Sequence, residues 1–377
     1  MIKQEQVLHA LNSVKDPELN RSLVELEMVR NIEISTENDI RLEVVLTISG
    51  CPLKITIKED VEKALKNLGA TTVDVHFGTM TDEERAKLAK YMQETRKNNV
   101  TLPVEKSSVK KTQKPITSDS PLLAKDCKTE FLLIASGKGG VGKSTCTVNL
   151  AVSLAKQGKK VGIIDADIYG FSIPSLMGIE QRPTVIDSIM LPVEKFGVKV
   201  ASMGFFVKEN DPVIWRGPML SKMLLNFFDM IFWEELDYMV IDLPPGTGDV
   251  ALDLHRILPS CKEIIITTPH ETASLVAERA GTMARRTEHE IVGVIENMSY
   301  FEGVDGKKEY IFGQGGGEAV AKSLETRLLT QVAIATSGST HVNGQGVYRD
   351  STVQVKQFEY VAQFVIDRSK QLAAMAQ

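Results

Sequence analysis

The sequence predicts an α/β protein: a doubly wound, mostly parallel sheet preceded by a small α+β domain. Three observations lead there. From Thr129 onward, apolar strand-like runs alternate with helical segments. Several of those runs are continuous rather than alternating, as strands covered on both faces of a parallel sheet must be. Between the first run and its helix lies a glycine-rich stretch, Gly137-Lys138-Gly139-Gly140-Val141-Gly142-Lys143-Ser144.

The chain has 377 residues, 43% of them hydrophobic and 25% charged, which suits an ordinary globular protein of two or three domains. A formal net charge of -5 gives no electrostatic reason to expect nucleic acid as a partner. The four cysteines, Cys51, Cys127, Cys146 and Cys261, are far apart in sequence, so neither a zinc ribbon nor a disulfide framework is encoded. The first residues lack the apolar stretch of a secretion signal, and no run approaches the ~18 apolar residues of a membrane helix. The expected address is the cytoplasm, without a membrane partner.

Residues 1–96 read as the small α+β domain. Gln6 to Val14 carries Val7, Leu8, Leu11 and Val14 at helical spacing and stops at Asp16-Pro17. Ile32–Ile34 and Ile40–Ile48 read as strands that pair across Thr36-Glu37-Asn38-Asp39. Pro52 to Leu68 reads as a helix with Leu53, Ile57, Val61, Ala64, Leu65 and Leu68 on one face and Gly69 as its C-cap. Thr72–Phe77 is a short strand. Thr81–Thr95 is a charged helix opened by a Thr81/Glu84 capping box.

Residues 97–128 mix lysines with Ser, Thr and Pro and carry no hydrophobic period, which predicts a flexible linker. Residues 129–377 form the larger domain, with strands expected over Phe131–Ser136, Lys160–Asp165, Val198–Met203, Tyr238–Leu243, Glu263–Thr268 and Ile291–Asn297. In such a sheet the ligand sits at the carboxyl ends of the strands.

The chemistry concentrates at that edge. Gly137 to Ser144 satisfies G-x-x-x-x-G-K-[ST] between a strand and a helix, with Thr145 next to it completing the expected nucleotide-binding stretch, so backbone N–H groups can turn inward around phosphate oxygens. Lys143 is placed for the β- and γ-phosphates of ATP, and the Ser144 hydroxyl for Mg²⁺. Lys138, a second lysine in the loop, points away from its own γ-phosphate and is suited to act in trans on a nucleotide held by a second subunit. Asp165 and Asp167 end the second strand; one is expected to hold Mg²⁺ through water, with Asp167 orienting the attacking water. Asp242 closes Tyr238–Asp242 as a Walker B aspartate supporting Mg²⁺. The following Leu243-Pro244-Pro245-Gly246-Thr247-Gly248-Asp249 has the composition of a γ-phosphate switch. Asn297 is placed to meet the base.

Lys138 with Lys143, the Asp165–Gly170 block, Trp215-Arg216-Gly217-Pro218-Met219, Asp242–Asp249 and Glu296-Asn297-Met298-Ser299-Tyr300 occur in one order. Together they closely resemble the Mrp/ApbC family of iron–sulfur cluster carrier ATPases, within the deviant-Walker group of Min- and Par-type ATPases, over about residues 129–370. The N-terminal blocks Asp16-Pro17-Glu18-Leu19 and Thr47–Leu53 look like a small domain shared with iron–sulfur assembly factors. The resemblance implies a homodimer that binds and slowly hydrolyses ATP and delivers a 4Fe–4S cluster to apoproteins, together with cluster assembly factors.

One departure matters. The family's carriers place a Cys-x-x-Cys pair just after the Asn-Met-Ser block, whereas Tyr300 to Tyr310 contains no cysteine here. A chloroplast branch of the family looks similar in lacking the pair while still acting in cluster assembly. Cys51, between Gly50 and a helix start, is then the best single candidate for a cluster ligand, its thiolate favoured by the helix dipole. Cys127 and Cys261, preceding strands, fall on the amino edge and read as structural; Cys146 is expected to pack on the sheet. His270 reads as an exposed loop residue or a ligand contact. The apolar segment Leu224–Phe232 suits a dimer face or a helix under the sheet. Residues 353–372 read as a core-closing amphipathic helix. The rival functional class is an ATP-switched dimeric regulatory or positioning protein that holds no cluster.

Overall fold

The computed structural model describes residues 2–375 except 17, 18, 20, 48–53, 99–119, 125, 169, 188, 206–216, 259, 304, 337–339, 342, 343 and 351. Cys51, Trp215 and Arg216 therefore lie outside the described residues, as does most of the expected linker. The chain divides into two compact units, Met1–Leu102 with Thr184–Leu191, and Pro103–Pro183 with Pro192–Gln377.

In the first unit, α1 (Gln4–Leu11) is followed by β1 (Val29–Ile34), β2 (Ile40–Leu46), α2 (Lys54–Leu68), β3 (Val73–Thr79) and α3 (Asp82–Asn98). β1 and β2 pair antiparallel around the turn at Asn38, which takes φ 63°. β2 and β3 pair in parallel, which requires the α2 crossover between them. The buried side chains of α2 are Ile57, Val61 and Leu65, four residues apart, so one stripe faces the sheet. Gly69 stops the helix at φ 102°. The capping box forms as expected, with Thr81 N donating to Glu84 Oε2 at 2.8 Å and Glu84 N to Thr81 Oγ1 at 3.3 Å.

The second unit holds β4 (Glu130–Ser136), α4 (Lys143–Lys156), β5 (Val161–Asp165) and α5 (Ile173–Met177). A hairpin of β6 (Val185–Ile186) and β7 (Ile189–Met190), grouped with the first unit, interrupts it. Then come β8 (Val193–Lys195), β9 (Val198–Ser202), α6 (Gly217–Asp229), β10 (Tyr238–Asp242), α7 (Asp249–Ile257), β11 (Lys262–Thr267) and α8 (Glu271–Arg286). Last are β12 (Glu290–Glu302), β13 (Lys308–Glu309), α9 (Gly316–Ser323), β14 (Leu328–Ala333), β15 (Thr340–His341), β16 (Gly344–Tyr348) and α10 (Val353–Met375).

The main sheet runs β13-β12-β11-β4-β10-β5-β9-β8, with β14 also on β12. Its interior pairs are parallel, while β8 and β13 run antiparallel at the borders. β5 and β10 are buried at every position, which is why they read as unbroken apolar runs.

Tertiary packing revises several expectations. β12, expected to end at Asn297, continues to Glu302 and pairs antiparallel with β13. β14 carries too weak a pattern to be read from sequence. The segment Ser120–Lys128 is not all linker: Leu122 is buried and Ser120 Oγ donates to Phe228 O at 2.7 Å. Of the two readings of Leu224–Phe232, burial selects the helix under the sheet. Leu224, Phe227, Phe228 and Ile231 are buried, and Phe228 meets Phe131 edge-on at 6.3 Å. α10 closes the core, burying Val355, Phe358, Val361 and Val365 against α4 and β14. Among the described residues no helix is long and apolar enough to cross a membrane.

Candidate functional site

The glycine loop connects β4 to α4 at the carboxyl edge of the sheet, and its glycines answer different demands. A Cβ on Gly137 would lie 2.2 Å from the carbonyl carbon of Val276 and 2.4 Å from Ala277 N, backbone atoms of α8 that cannot give way. Gly142 takes φ 81°, and a Cβ there would sit 2.1 Å from Asn297 Nδ2. Around Gly139 and Gly140 a Cβ meets nothing within 4 Å, so the loop opens to one side. That side is a cleft of about 270 Å³ lined by the loop, Ser144, Thr145, Asp167, Ser172, Leu176 and Pro245.

At the foot of the loop the first turn of α4 converges on Asp242, whose side chain is fully buried. Lys143 Nζ lies 2.7 Å from Asp242 Oδ2. The Ser144 hydroxyl donates to the same oxygen at 2.6 Å, and the Thr147 hydroxyl to Oδ1 at 2.6 Å. Thr147 was missed in the sequence. Its only signal is its position one helical turn after Lys143, which places it on the same face.

Asp165 is also fully buried, and its carboxylate is largely committed to the protein. Oδ2 accepts from Ser202 Oγ at 2.9 Å and from the backbone N–H groups of Ser172 and Ile173 at 3.2 Å; Oδ1 accepts from Asp167 N at 3.3 Å. It thus ties β9, the start of α5 and the Asp167 loop together. Burial, then the negative charge of Asp242, push its carboxyl up to about 7, against hydrogen bonds and the Lys143 ammonium. Asp167 is half-buried at the cleft, and its Oδ1 accepts from Gly170 N at 3.1 Å. Burial raises its carboxyl while Lys143 opposes the rise.

Asn297 lies beneath the loop: its buried side-chain amide donates to Val141 O at 2.9 Å, so this group braces the loop backbone instead of pointing into the cleft. Lys138 is on the exposed rim, with Nζ 3.4 Å from Thr272 Oγ1. His270 caps α8, its Nδ1 accepting from Thr272 N at 3.2 Å. Behind Asp242, Gly246 takes φ 87° and donates its N–H to Ser136 O at 2.8 Å, pinning the Pro-Pro-Gly segment to the end of β4.

Among the described residues the free cysteines are Cys127, Cys146 and Cys261. Cys146 packs in the core under the sheet as expected, and burial, then the charge of Asp242, push its thiol up. No thiol faces the cleft among these, and the hairpin at Tyr300–Glu309 carries none.

A strand, a glycine loop opening a helix, and an aspartate at the end of β10 bonded to the loop's Ser and Lys define a P-loop nucleotide-binding NTPase. Residues 128–366 match the family described as NUBPL iron-transfer P-loop NTPase. Residues 4–76 match the one described as iron–sulfur cluster assembly protein. The chain belongs to the NUBPL iron-transfer P-loop NTPase family. Its relatives include the iron–sulfur cluster carrier protein of Bacillus subtilis (strain 168), 49% identical over 336 residues that cover 89% of each chain. The protein of the same name in Mycobacterium bovis is 39% identical over 378 residues, covering 97% of this chain and 94% of its own. Among solved structures, a nucleotide-binding protein from Archaeoglobus fulgidus in complex with ADP is 35% identical; the match covers 62% of this chain and 87% of that one, with a TM-score of 0.48.

Proposed function

We propose that this protein is an ATP-hydrolysing iron–sulfur cluster carrier or assembly factor, working as a homodimer in the cytoplasm and passing clusters to apoproteins. In this reading residues 1–96 are the assembly-type domain, 97–128 the linker and 129–377 the ATPase, with no nucleic acid or membrane as partner. The observation that carries it is the convergence of Lys143, Ser144 and Thr147 on buried Asp242 beneath an open glycine loop, in a chain whose relatives bear the name of cluster carriers.

ATP would lie along Gly137–Thr145, its phosphates taking backbone N–H groups and Lys143. The donor set beside the loop is all oxygen, Ser144 Oγ with the carboxylates of Asp242 and, behind it, Asp165, which fits a hard cation such as Mg²⁺. When bound, Mg²⁺ supplies charge neutralisation across the phosphates. Asp242 and Ser144 would hold it, with Asp165 fixing the surrounding backbone. Asp167, at the cleft wall, would orient the attacking water, and Lys138 would reach the nucleotide of the second protomer. The cluster is cargo, a 4Fe–4S unit in this reading, and Cys51 is its proposed ligand.

The absence of a cysteine from the Tyr300–Glu309 hairpin favours a second reading, an ATP-switched regulatory or positioning dimer without cargo. Iron and acid-labile sulfide per dimer, measured after anaerobic reconstitution of wild type and Cys51→Ala, separate the two. A stoichiometric cluster lost in the variant supports carriage through the N-terminal domain. A cluster retained in the variant keeps carriage and moves the ligands elsewhere. No cluster in either protein sinks carriage and leaves the switch.

A further inference from the structure

At the end of the sheet opposite the glycine loop, three segments meet. His255 lies in the last turn of α7, Cys261 just before β11 and His289 just before β12. One ring nitrogen from each histidine and the Cys261 sulfur all lie within 4.8 Å of one another. Cys261 Sγ is 3.0 Å from His289 Nδ1, and the two imidazole rings stack with centroids 4.8 Å apart. Donor atoms on one tetrahedral zinc sit roughly 3.3–3.6 Å from each other, given bonds of about 2.3 Å to sulfur and 2.0 Å to nitrogen. Bringing all three onto one ion takes side-chain shifts of about an ångström and a turn of one stacked ring, since each nitrogen's lone pair lies in its ring plane.

The neighbours set the tautomers. His289 Nε2 is 3.2 Å from His255 O, and a carbonyl only accepts, so Nε2 carries the proton and Nδ1 offers its lone pair toward the sulfur. His255 Nε2 is 3.1 Å from Glu263 Oε2. Donation there leaves a lone pair on His255 Nδ1, a buried atom without a hydrogen-bond partner. Glu263 Oε1 is likewise buried without a partner, and both side chains are 0% exposed. Imidazoles anchored through one nitrogen by a carboxylate or carbonyl, with the other left open, are the arrangement that orients histidine toward a metal.

We propose that His255, Cys261 and His289 form a binding site for one divalent cation of the zinc class, ligated by the two Nδ1 atoms and Sγ, with Glu263 positioning His255. A thiolate and two imidazoles select a borderline-soft ion over Mg²⁺, so the site does not compete with the glycine loop for its cation. On binding, the thiol proton leaves to solvent, and the thiolate and the Glu263 carboxylate together balance the 2+ charge. The half-buried face of His289 gives the ion its way in. Once bound, it ties the last turn of α7 to two sheet strands, and α7 begins directly behind the Pro-Pro-Gly segment that follows Asp242.

The test uses the full-length chain, stripped with EDTA, reduced, and titrated anaerobically with Co(II) in the presence of saturating Mg-ADP. One Co(II) per chain is expected, with near-ultraviolet thiolate charge transfer and the intense visible bands of a tetrahedral site. Cys261→Ser, its fold checked by ADP affinity and near-ultraviolet circular dichroism, is expected to lose the charge transfer. Glu263→Gln is expected to keep the bands and bind roughly 10–100-fold more weakly. Zn(II) should displace Co(II) and raise the unfolding temperature of the wild type but not of Cys261→Ser. Absence of charge transfer in the wild type overturns the proposal and leaves Cys261 and His289 as a simple S–H···N pair. Its persistence in Cys261→Ser overturns it too, by assigning the thiolate to another cysteine.

Discussion

Lys143→Ala takes an ammonium away from two buried carboxylates, and its cost is expected in the fold as well as in nucleotide binding. Lys143 is 6% exposed and Asp242 0%, with 2.7 Å between Nζ and Oδ2. Removing one partner of a buried pair costs about 3–5 kcal/mol, because the other charge stays desolvated. Asp242 keeps its bonds from Ser144 and Thr147 at 2.6 Å, and hydrogen bonds to a charged acceptor contribute about 1.5–3 kcal/mol each, so the lower end, about 3 kcal/mol, is expected. Urea unfolding in EDTA without nucleotide measures it. Trp233 is buried in the second unit, and its fluorescence follows the unfolding of that unit. Asp242→Asn and the double variant complete a cycle in which the double variant should recover most of the loss. Unfolding of Lys143→Ala within about 0.5 kcal/mol of wild type, with no coupling in the cycle, would refute the ion pair and the reasoning built on it.

The same experiment carries a pH signature. The carboxyl of Asp165 is raised in the fold, so its contribution is complete below the unfolded value of 3.8 and is lost as pH rises through about 7. Lys143 opposes that rise, and without it the deficit of Lys143→Ala should be larger on the alkaline side of the window than on the acid side. A deficit independent of pH contradicts the charge argument.

Gly137→Ala and Gly139→Ala should separate folding from binding: the first drives a Cβ into α8 backbone and is expected to destabilise by at least about 1–3 kcal/mol, while the second meets open space and should leave the unfolding curve unchanged but weaken ATP binding. Equal unfolding curves for the two would contradict the packing at Gly137. Thr147→Val removes one of the two hydroxyls on Asp242 and is expected to cost about 1–3 kcal/mol of stability, with the Mg²⁺ dependence of hydrolysis shifted to higher concentration; an unchanged Mg²⁺ titration argues against its role. Lys138→Ala should bind ATP as the wild type does yet hydrolyse it at least 10³-fold more slowly if the lysine acts as a finger in trans, as arginine fingers do by roughly 10³–10⁵. Mixed dimers with a Lys143→Ala partner test the sharing, since a lysine acting only within its own protomer predicts no rescue.

The parts of this protein that were legible in the sequence are those built from neighbouring residues. A phosphate loop needs consecutive backbone N–H groups and glycines at fixed offsets, so Gly137–Ser144 reads directly. The unbroken apolar runs of β4, β5 and β10 likewise report a sheet covered on both faces, and the Thr81/Glu84 box a helix start. What the sequence left open depends on segments that meet only after folding. Asn297 reaches Val141 across 156 positions, and burial alone distinguishes a dimer face from a core helix at Leu224–Phe232. His255, Cys261 and His289 show no motif because their spacing is set by the lengths of α8 and the connecting loops. Parallel strands bring their amino ends together whatever lies between them, and that alignment, rather than any local pattern, gathers the three ligands at one edge of the sheet.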